Sequence, residues 1–168
     1  MDFMFQGAQS FNQNLNSWDV SSVTTMQNMF NGASIFNGGV MIWDVSNVTD
    51  MIGMFNGAIA FNRNIGAWNV SNVTNMDFMF QGAQSFNQNL NSWVVSSVID
   101  MSTMFNSSGL STVNYSNTLI GWSALGSLQN AVPLRAGTIQ YSAGAAATAR
   151  GILTSAPNNW TITDGGQV

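Results

Sequence analysis

The chain of 168 residues has no cysteine and no histidine, and it also lacks lysine and glutamate. Without cysteine there is no disulfide bond, and without either residue there is no zinc finger or other Cys/His metal site. A nucleophile activated by a histidine base is excluded as well. Arg63, Arg135 and Arg150 are the only basic side chains, too few for the basic surface with which proteins bind nucleic acid. We therefore expect no nucleic-acid partner.

Charge of either sign is scarce. Charged residues make up 6% of the chain, against roughly 25% in an average globular protein, and the net charge is −4. A hydrophobic content of 45% predicts a packed core rather than a disordered acidic chain. No stretch approaches the about 20 consecutive apolar residues of a transmembrane helix, so we expect no membrane span. The first ten residues have neither the basic region nor the apolar run of a signal peptide.

What the sequence does contain is a repeat of 25 residues. Tryptophan occurs at positions 18, 43, 68 and 93, the pair Met-Phe recurs with the same step from position 4, and residues 1–18 are identical to residues 76–93. Such a period is typical of a solenoid, whose units stack because one unit cannot bury its own apolar face. We expect ladders of equivalent Phe, Met and Trp side chains inside the stack. An asparagine column at positions 12, 37, 62 and 87 is predicted to face inward and to bond backbone groups of neighbouring coils.

Local signals within one unit predict its secondary structure. Val23, Met26 and Phe30 have the spacing of one helix face, and Gly32 stands where a left-handed residue ends a helix. An extended piece lies ahead of this helix at residues 15–20. The predicted fold class is therefore an α/β repeat, a leucine-rich-repeat-like solenoid with one short parallel strand and one short helix in each 25-residue coil.

The repeat resembles that of a known family. The segment FNQNLNSWDVSSVTTMQNMFNGAS, with its motif WDVS-x-VT-x-M-x-x-MF, is similar to the repeat of BspA-like leucine-rich-repeat surface proteins. The same unit is found in mycoplasma surface lipoproteins and in secreted proteins of Bacteroidetes-type bacteria. The resemblance covers residues 1 to about 106. It implies a solenoid that is extracellular or on the cell surface, that serves in adhesion and host or matrix binding, and that has no catalytic residues.

The chain divides into two parts at the end of the repeats. Residues 1–106 form about four units, and the period is lost at Ser107-Ser108, where Gly-Ala is expected. Residues 107–168 are predicted to cap the last core layer. One helix is expected around residues 119–125, another over residues 143–155, and a short strand at residues 160–162. This α/β cap completes the predicted architecture.

The first unit has no atypical capping sequence and carries four large apolar residues, namely Phe3, Met4, Phe5 and Phe11. A natural solenoid usually opens with a unit that shields its first core layer. Two interpretations are open. Either the segment was cut from a longer array, or these residues form a stacking edge that another copy of the chain covers.

Carboxylates offer one candidate for chemistry. Asp19 and Asp44 occupy equivalent positions in adjacent coils, so their side chains could form a calcium site or a carboxylate pair. The alternative is two solvated turn residues, and it is favoured because Asn69 and Val94 fill the same position without replacement ligands. We therefore predict no catalytic residue, no metal and no cofactor.

A candidate binding face follows from the exposed side of the predicted parallel sheet. Gly39, Met41 and Gly66 interrupt two columns of this face that are otherwise asparagine. The candidate residues are Asn14, Asn16, Asn64, Asn89 and Asn91. An uncharged surface rich in amides suits hydrogen bonding to glycans or to an extended peptide. The sequence thus predicts a non-enzymatic adhesion or binding module, with end-to-end stacking of chains into an extracellular filament as the alternative.

Overall fold

The computed structural model describes residues 1–168, and its regular elements all lie in the last third of the chain. They are helix α1 (Thr112–Ser123), strand β1 (Pro133–Arg135), helix α2 (Ala145–Thr154) and strand β2 (Thr161–Thr163). Residues 1–111 consist of turns, arranged as coils in which positions 25 apart lie side by side. Isolated parallel bridges mark this register from coil to coil. They pair Thr25 with Asp50, Asp50 with Asn75, and Asn75 with Asp100.

The helix predicted in each coil is absent, because its amides donate alternately to two kinds of acceptor. In the second coil the amides of residues 29, 31 and 33 donate to carbonyls three residues earlier. The amides of residues 26, 28, 30 and 32 donate instead to carbonyls of residues 50, 52, 54 and 56 in the next coil. An α-helix directs every amide to a carbonyl of its own segment. The prediction of helix was wrong because an apolar spacing of three and four residues also fits consecutive turns whose apolar side chains face a common core.

Backbone dihedrals rule out a helix in the same segment. Asn28 has φ of 52° and Gly32 has φ of 72°, so two left-handed residues lie four positions apart. Gly7, Gly57 and Gly82 repeat the conformation of Gly32. The sequence correctly indicated a left-handed residue at this column, but the glycine closes a turn rather than a helix.

The strand predicted at residues 15–20 is also absent. The Leu15 amide donates to the Gly39 carbonyl at 2.9 Å, and the Trp18 amide turns back to the Leu15 carbonyl. The Trp43 indole then donates to that same Leu15 carbonyl at 2.8 Å, and Trp68 bonds Val40 in the same way. A tryptophan side chain thus takes the place of a ladder amide, and no sheet extends along the stack.

Aromatic ladders fill the interior, as the period predicts. Phe30 and Phe55 stack with ring centroids 5.5 Å apart and an interplanar angle of 3°. Within one coil, Phe30 lies 3.9 Å from Phe36, so two phenylalanine columns run side by side. Trp43 and Trp68 stack at 6.4 Å. These side chains are fully or almost fully buried, and each buries apolar area that no single coil could cover.

The C-terminal segment packs on the last coil and continues its hydrogen-bonding pattern. The Trp122 indole in α1 donates to the Leu90 carbonyl at 3.1 Å, and the Thr118 hydroxyl accepts from the Leu90 amide. The helix predicted over residues 143–155 is α2, and the predicted final strand is β2. The helix predicted around residues 119–125 corresponds to the C-terminal part of α1, which begins seven residues earlier and ends at Ser123. Strand β1 was not predicted. It pairs in parallel with β2 and extends the line of bridges through Met101 and Leu134.

One ion pair fixes the two helices of this segment to the chain end. Arg150 of α2 donates through Nε to Asp164 at 2.8 Å, and Tyr115 of α1 donates to the same carboxylate at 3.1 Å. The Asp164 side chain is only 2% exposed. Burial, followed by the nearby Asp164 charge, raises the pKa of Tyr115 well above its ordinary value. The tyrosine therefore stays protonated and remains a donor to Asp164.

Candidate binding face

The predicted binding face is built by a turn that three coils repeat. Asn14 Oδ1 accepts from the Asn16 amide, Asn64 Oδ1 from the Gly66 amide, and Asn89 Oδ1 from the Asn91 amide, each at 3.0 Å. Asparagine favours such turns because its side-chain oxygen bonds the backbone two residues on. The face is therefore a row of turns rather than the side of a sheet, which corrects the sequence-based expectation.

The turn leaves the nitrogen of each of these side chains free. Asn14, Asn64 and Asn89 use Oδ1 internally, and their Nδ2 groups make no hydrogen bond within the protein. Asn14, Asn64 and Asn91 are exposed, while Asn16 and Asn89 are half-buried. Four of the five predicted residues line two neighbouring hollows, and Asn91 lies outside both.

The two hollows share Met41 and differ in size. The larger, about 610 Å³, will be called the Asn64 hollow, and it contains two of the predicted asparagines. The smaller, about 230 Å³, will be called the Arg63 hollow, and it contains the other two. The Asn64 hollow is lined by Met41, Asn64, Gly66, Ala67, Gln88, Asn89 and Ser92. The Arg63 hollow is lined by Asn12, Asn14, Asn16, Asn37, Gly38, Gly39, Met41 and Arg63.

Next to this face runs the asparagine column that was predicted to bond neighbouring coils. Asn12 Oδ1 accepts from the Asn37 amide at 2.8 Å, Asn37 from Asn62, and Asn62 from Asn87. The ladder ends on the amide of Ser111, the N-cap residue of α1. This prediction is confirmed, although three of the four asparagines are exposed rather than turned inward.

The carboxylates at positions 19 and 44 belong to turns. Asp19 Oδ1 accepts from the Ser21 hydroxyl at 2.6 Å and from the Ser21 amide at 3.0 Å, and Asp44 accepts from the Ser46 amide. The Ser21 hydroxyl, followed by the Ser21 amide, lowers the pKa of Asp19 below its ordinary value of 3.8. Hydrogen bonds from Ser46 likewise lower the pKa of Asp44. Both side chains are exposed, and they belong to no cluster of three or more potential metal ligands.

Apolar groups are exposed at the end of the stack that the first coil forms. Phe3 is 51% exposed and Met4 49%, whereas Phe5 and Phe11 are half-buried and stack on each other at 4.0 Å. The predicted edge residues thus contribute unequally. Two of them extend the phenylalanine columns of the core and two face solvent.

Sequence reasoning missed several residues of the face, Arg63 above all. Arg63 occupies the column of Gln13, Gly38 and Gln88, so the signal available was a single charged substitution inside an otherwise uncharged column. The glycine at position 38 is a second such signal. In a repeat, the residues common to all units are explained by stacking alone. Candidate functional residues are therefore best sought at positions where one unit departs from the others.

The coils of this chain have relatives in a known protein family. Residues 1–118 match the family described as "Mycoplasma protein of unknown function, DUF285". The chain belongs to this family. The DUF285 match covers all of the coils and extends into the first half of α1. No curated protein and no solved structure matches the chain. None of the helices has the length and hydropathy that crossing a lipid bilayer requires.

Proposed function

We propose that this DUF285 chain is a non-enzymatic binding module of a BspA-like repeat protein, acting at the cell surface or outside the cell. In this proposal the coils form a leucine-rich-repeat-like solenoid with a C-terminal cap. Its ligand is a glycan or a protein segment that lies along the row of turns. The observation that carries the proposal is the line of unpartnered Asn Nδ2 groups beside two hollows on one face.

The repeat makes this face suited to an extended ligand. Equivalent donors recur in three of the four coils, Gly39 standing in the second, so a ligand that also repeats can make the same hydrogen bond several times. Each exposed hydrogen bond contributes little by itself, about 0.5–1.5 kcal/mol. Several such contacts on one rigid surface add up without new ordering of the protein. A sugar chain offers such a series of hydroxyl donors and acceptors.

We propose no catalytic activity, because the carboxylates at positions 19 and 44 and the lining of the hollows do not suit acid–base chemistry. General acid and base work needs groups whose environments push their pKa values apart. The carboxylates of Asp19 and Asp44 are both exposed, both bound in turns, and both lowered in pKa. The hollows are lined by amides, glycines, Met41, Ala67, a serine and one arginine, and they contain no carboxylate.

Glycan and peptide arrays test the proposal with two double variants. Asn64→Ala/Asn89→Ala removes two free amides from the face. The matched control, Asn47→Ala/Asn72→Ala, also removes two asparagines at a 25-residue spacing, and both of these are exposed. The control residues donate to the carbonyls of Ser21 and Ser46 outside the hollows.

We expect the native chain to retain a set of glycans or peptides and the control variant to retain the same set. The Asn64→Ala/Asn89→Ala variant is expected to bind these ligands at least about tenfold more weakly. If both variants retained the ligands equally well, the binding site would lie elsewhere than on this face. Retention of no ligand at all by the native chain would contradict the proposal.

The second candidate function, end-to-end stacking into a filament, has its own observation. Residues 1–18 are identical in sequence to residues 76–93, which pack against a preceding coil. The surface around Met4, whose equivalent Met79 is buried between coils, therefore fits another coil of the same kind, from the same polypeptide or from a second copy. Phe3 contributes less, because its equivalent Phe78 stays 38% exposed within the stack. Electron microscopy of the purified chain tests this candidate, since fibres support it and dispersed monomers contradict it.

A further inference from the structure

The Arg63 hollow exists because one coil has no side chains at two successive positions. Gly38 and Gly39 stand where the neighbouring coils have Gln13 and Asn14 on one side and Arg63 and Asn64 on the other. A Cβ atom at Gly38 would lie 2.0 Å from the Gln13 carbonyl oxygen, and one at Gly39 would lie 2.3 Å from Asn14 Oδ1. Glycine is therefore required at position 38, where the close atom is backbone, whereas a side chain at position 39 would displace the Asn14 side chain. The missing side chains leave a recess between polar neighbours.

Arg63 brings a positive charge to this recess with no negative charge to neutralise it. It is the only basic side chain before residue 135. Its Nε donates to the Asn37 carbonyl at 2.5 Å, which fixes the guanidinium plane while both terminal nitrogens stay without a partner in the protein. No carboxylate forms a salt bridge with Arg63. A planar guanidinium with two free nitrogens is suited to bidentate binding of a carboxylate or sulfate group.

Asn14 adds a free donor to the same hollow. Its Oδ1 accepts from the Asn16 amide, while its exposed Nδ2 makes no hydrogen bond within the protein. A ligand hydroxyl oxygen can therefore accept from this nitrogen. The hollow thus presents a cation for an anionic group and a donor for a hydroxyl group. A sugar acid carries both kinds of group on one ring.

We propose that the Arg63 hollow binds an acidic sugar residue of a glycan, with its carboxylate or sulfate on the Arg63 guanidinium and a hydroxyl oxygen accepting from Asn14 Nδ2. The inference rests on the proposed function and names its ligand class. A volume of about 230 Å³ is small compared with a pocket for a drug-sized ligand, so it suits one ring of a chain. The adjoining Asn64 hollow, which shares Met41, takes the next residues of the same glycan.

The variant Arg63→Gln tests the charge without disturbing the coil. Glutamine is the residue that the repeat uses in the next coil, where Gln88 Nε2 donates to the Asn62 carbonyl at 3.1 Å. The corresponding bond to the Asn37 carbonyl is therefore open to the variant side chain. The matched control is Arg135→Gln, which changes the net charge equally at an exposed side chain outside both hollows.

Calorimetric titration compares four probes: a tetragalacturonate, its methyl ester, a sulfated tetragalactose and a tetraglutamate peptide. We expect the native chain and Arg135→Gln to bind the acidic sugars about tenfold or more tightly than the ester. Arg63→Gln is expected to bind all the sugars as weakly as the ester, and Arg63→Lys to fall between, since it keeps the charge and loses the bidentate geometry. Tight binding of the uronate or of the sulfated sugar supports the proposal and tells which anionic group the site takes.

Several results would overturn the proposal. Sugar binding that is unchanged in Arg63→Gln, or lost equally in Arg135→Gln, would remove Arg63 from the site while leaving the proposed glycan-binding face intact. An equally tight, Arg63-dependent interaction with tetraglutamate would show selection for charge alone and reject the sugar. Failure of the native chain to bind any saccharide or peptide, in this titration and on the arrays, would overturn both proposals.

Discussion

At the scale of single residues, the glycine column at positions 7, 32, 57 and 82 shows how the coil is closed. Each glycine has φ near 70°, in the left-handed region, and each donates its amide to a carbonyl of the next coil. The space beside Gly57 would admit a Cβ atom, because its nearest neighbours would be the backbone atoms of Gly32 at 3.7 Å. Backbone conformation rather than crowding is therefore the reason for glycine.

The substitution Gly57→Ala is expected to lower the free energy of unfolding by about 1 kcal/mol, since a left-handed alanine costs about 1–2 kcal/mol and the stiffer unfolded chain offsets part of that. Its control is Gly151→Ala in the interior of α2, where no atom crowds the new methyl group. That change should stabilise by about 0.5–1 kcal/mol. Urea unfolding measures both variants, and shifts of the same sign would contradict this explanation.

At the scale of elements, the C-terminal segment depends on a buried charge. Arg150 of α2 holds the Asp164 carboxylate with two nitrogens, at 2.8 and 3.3 Å, and also donates to the Ile162 carbonyl of β2. Asp164 is almost fully buried, whereas Arg150 keeps a quarter of its side chain exposed. Removing the cation would leave the carboxylate buried with only the Tyr115 hydroxyl and the Gly166 amide as donors.

Arg150→Met is therefore expected to destabilise the protein by about 3 kcal/mol, the lower end for a broken buried pair. Tyr115→Phe removes one hydrogen bond and should cost about 1 kcal/mol. Arg135→Met, at an exposed guanidinium, is the control and should change little. Thermal unfolding followed by circular dichroism ranks the three. A loss for Arg150→Met no larger than for Arg135→Met would show that the ion pair does not hold the segment together.

The elements also show where sequence reasoning succeeded. Helix α2 and the C-terminal part of α1 were predictable because both helices bury one face against the rest of the chain and follow ordinary helical spacing. The helix in each coil was wrongly predicted because periodicity reports which side chains face inward and does not report where the amides donate. The alternation between local and inter-coil acceptors is a property of the stack, and no single segment contains it.

The candidate site was predictable only in outline. The columns containing Asn14, Asn64 and Asn89 were visible as repeated polar positions, and the structure places them around the two hollows. The hollow around Arg63 depends on two glycines in one coil and an arginine in the next. The sequence shows these residues but does not show that position 38 approaches the Gln13 carbonyl so closely. That distance follows only from the spacing of coils in three dimensions.

At the scale of the whole molecule, contacts between coils fix the length of the repeat unit at 25 residues. Every inter-coil hydrogen bond and aromatic stack joins residues about 25 apart, so a change in unit length displaces all of them together. Removing one whole unit should leave the remaining contacts in register. Removing a unit less one residue should instead shift each ladder of equivalent side chains by one position and bring polar side chains into the core.

Deletion of residues 51–75 is accordingly expected to give a protein that unfolds cooperatively in urea. Its m-value should be smaller than that of the full chain, because less surface is exposed on unfolding. Deletion of residues 51–74 is the matched control, and it should abolish the cooperative transition. Tryptophan fluorescence follows both. Two deletions with equal cooperativity would mean that the 25-residue register does not determine the fold.

The candidate binding face exists only if equivalent residues of successive coils share one side of the molecule, which makes the 25-residue register decisive. Scalar couplings across hydrogen bonds, measured by NMR on the deuterated protein, test it directly. We predict correlations from the amides of Gly32, Gly57 and Gly82 to the carbonyls of Asn56, Gln81 and Asn106, which lie 2.7, 2.7 and 2.9 Å away. Correlations to carbonyls four residues earlier, the pattern of an α-helix, would contradict it.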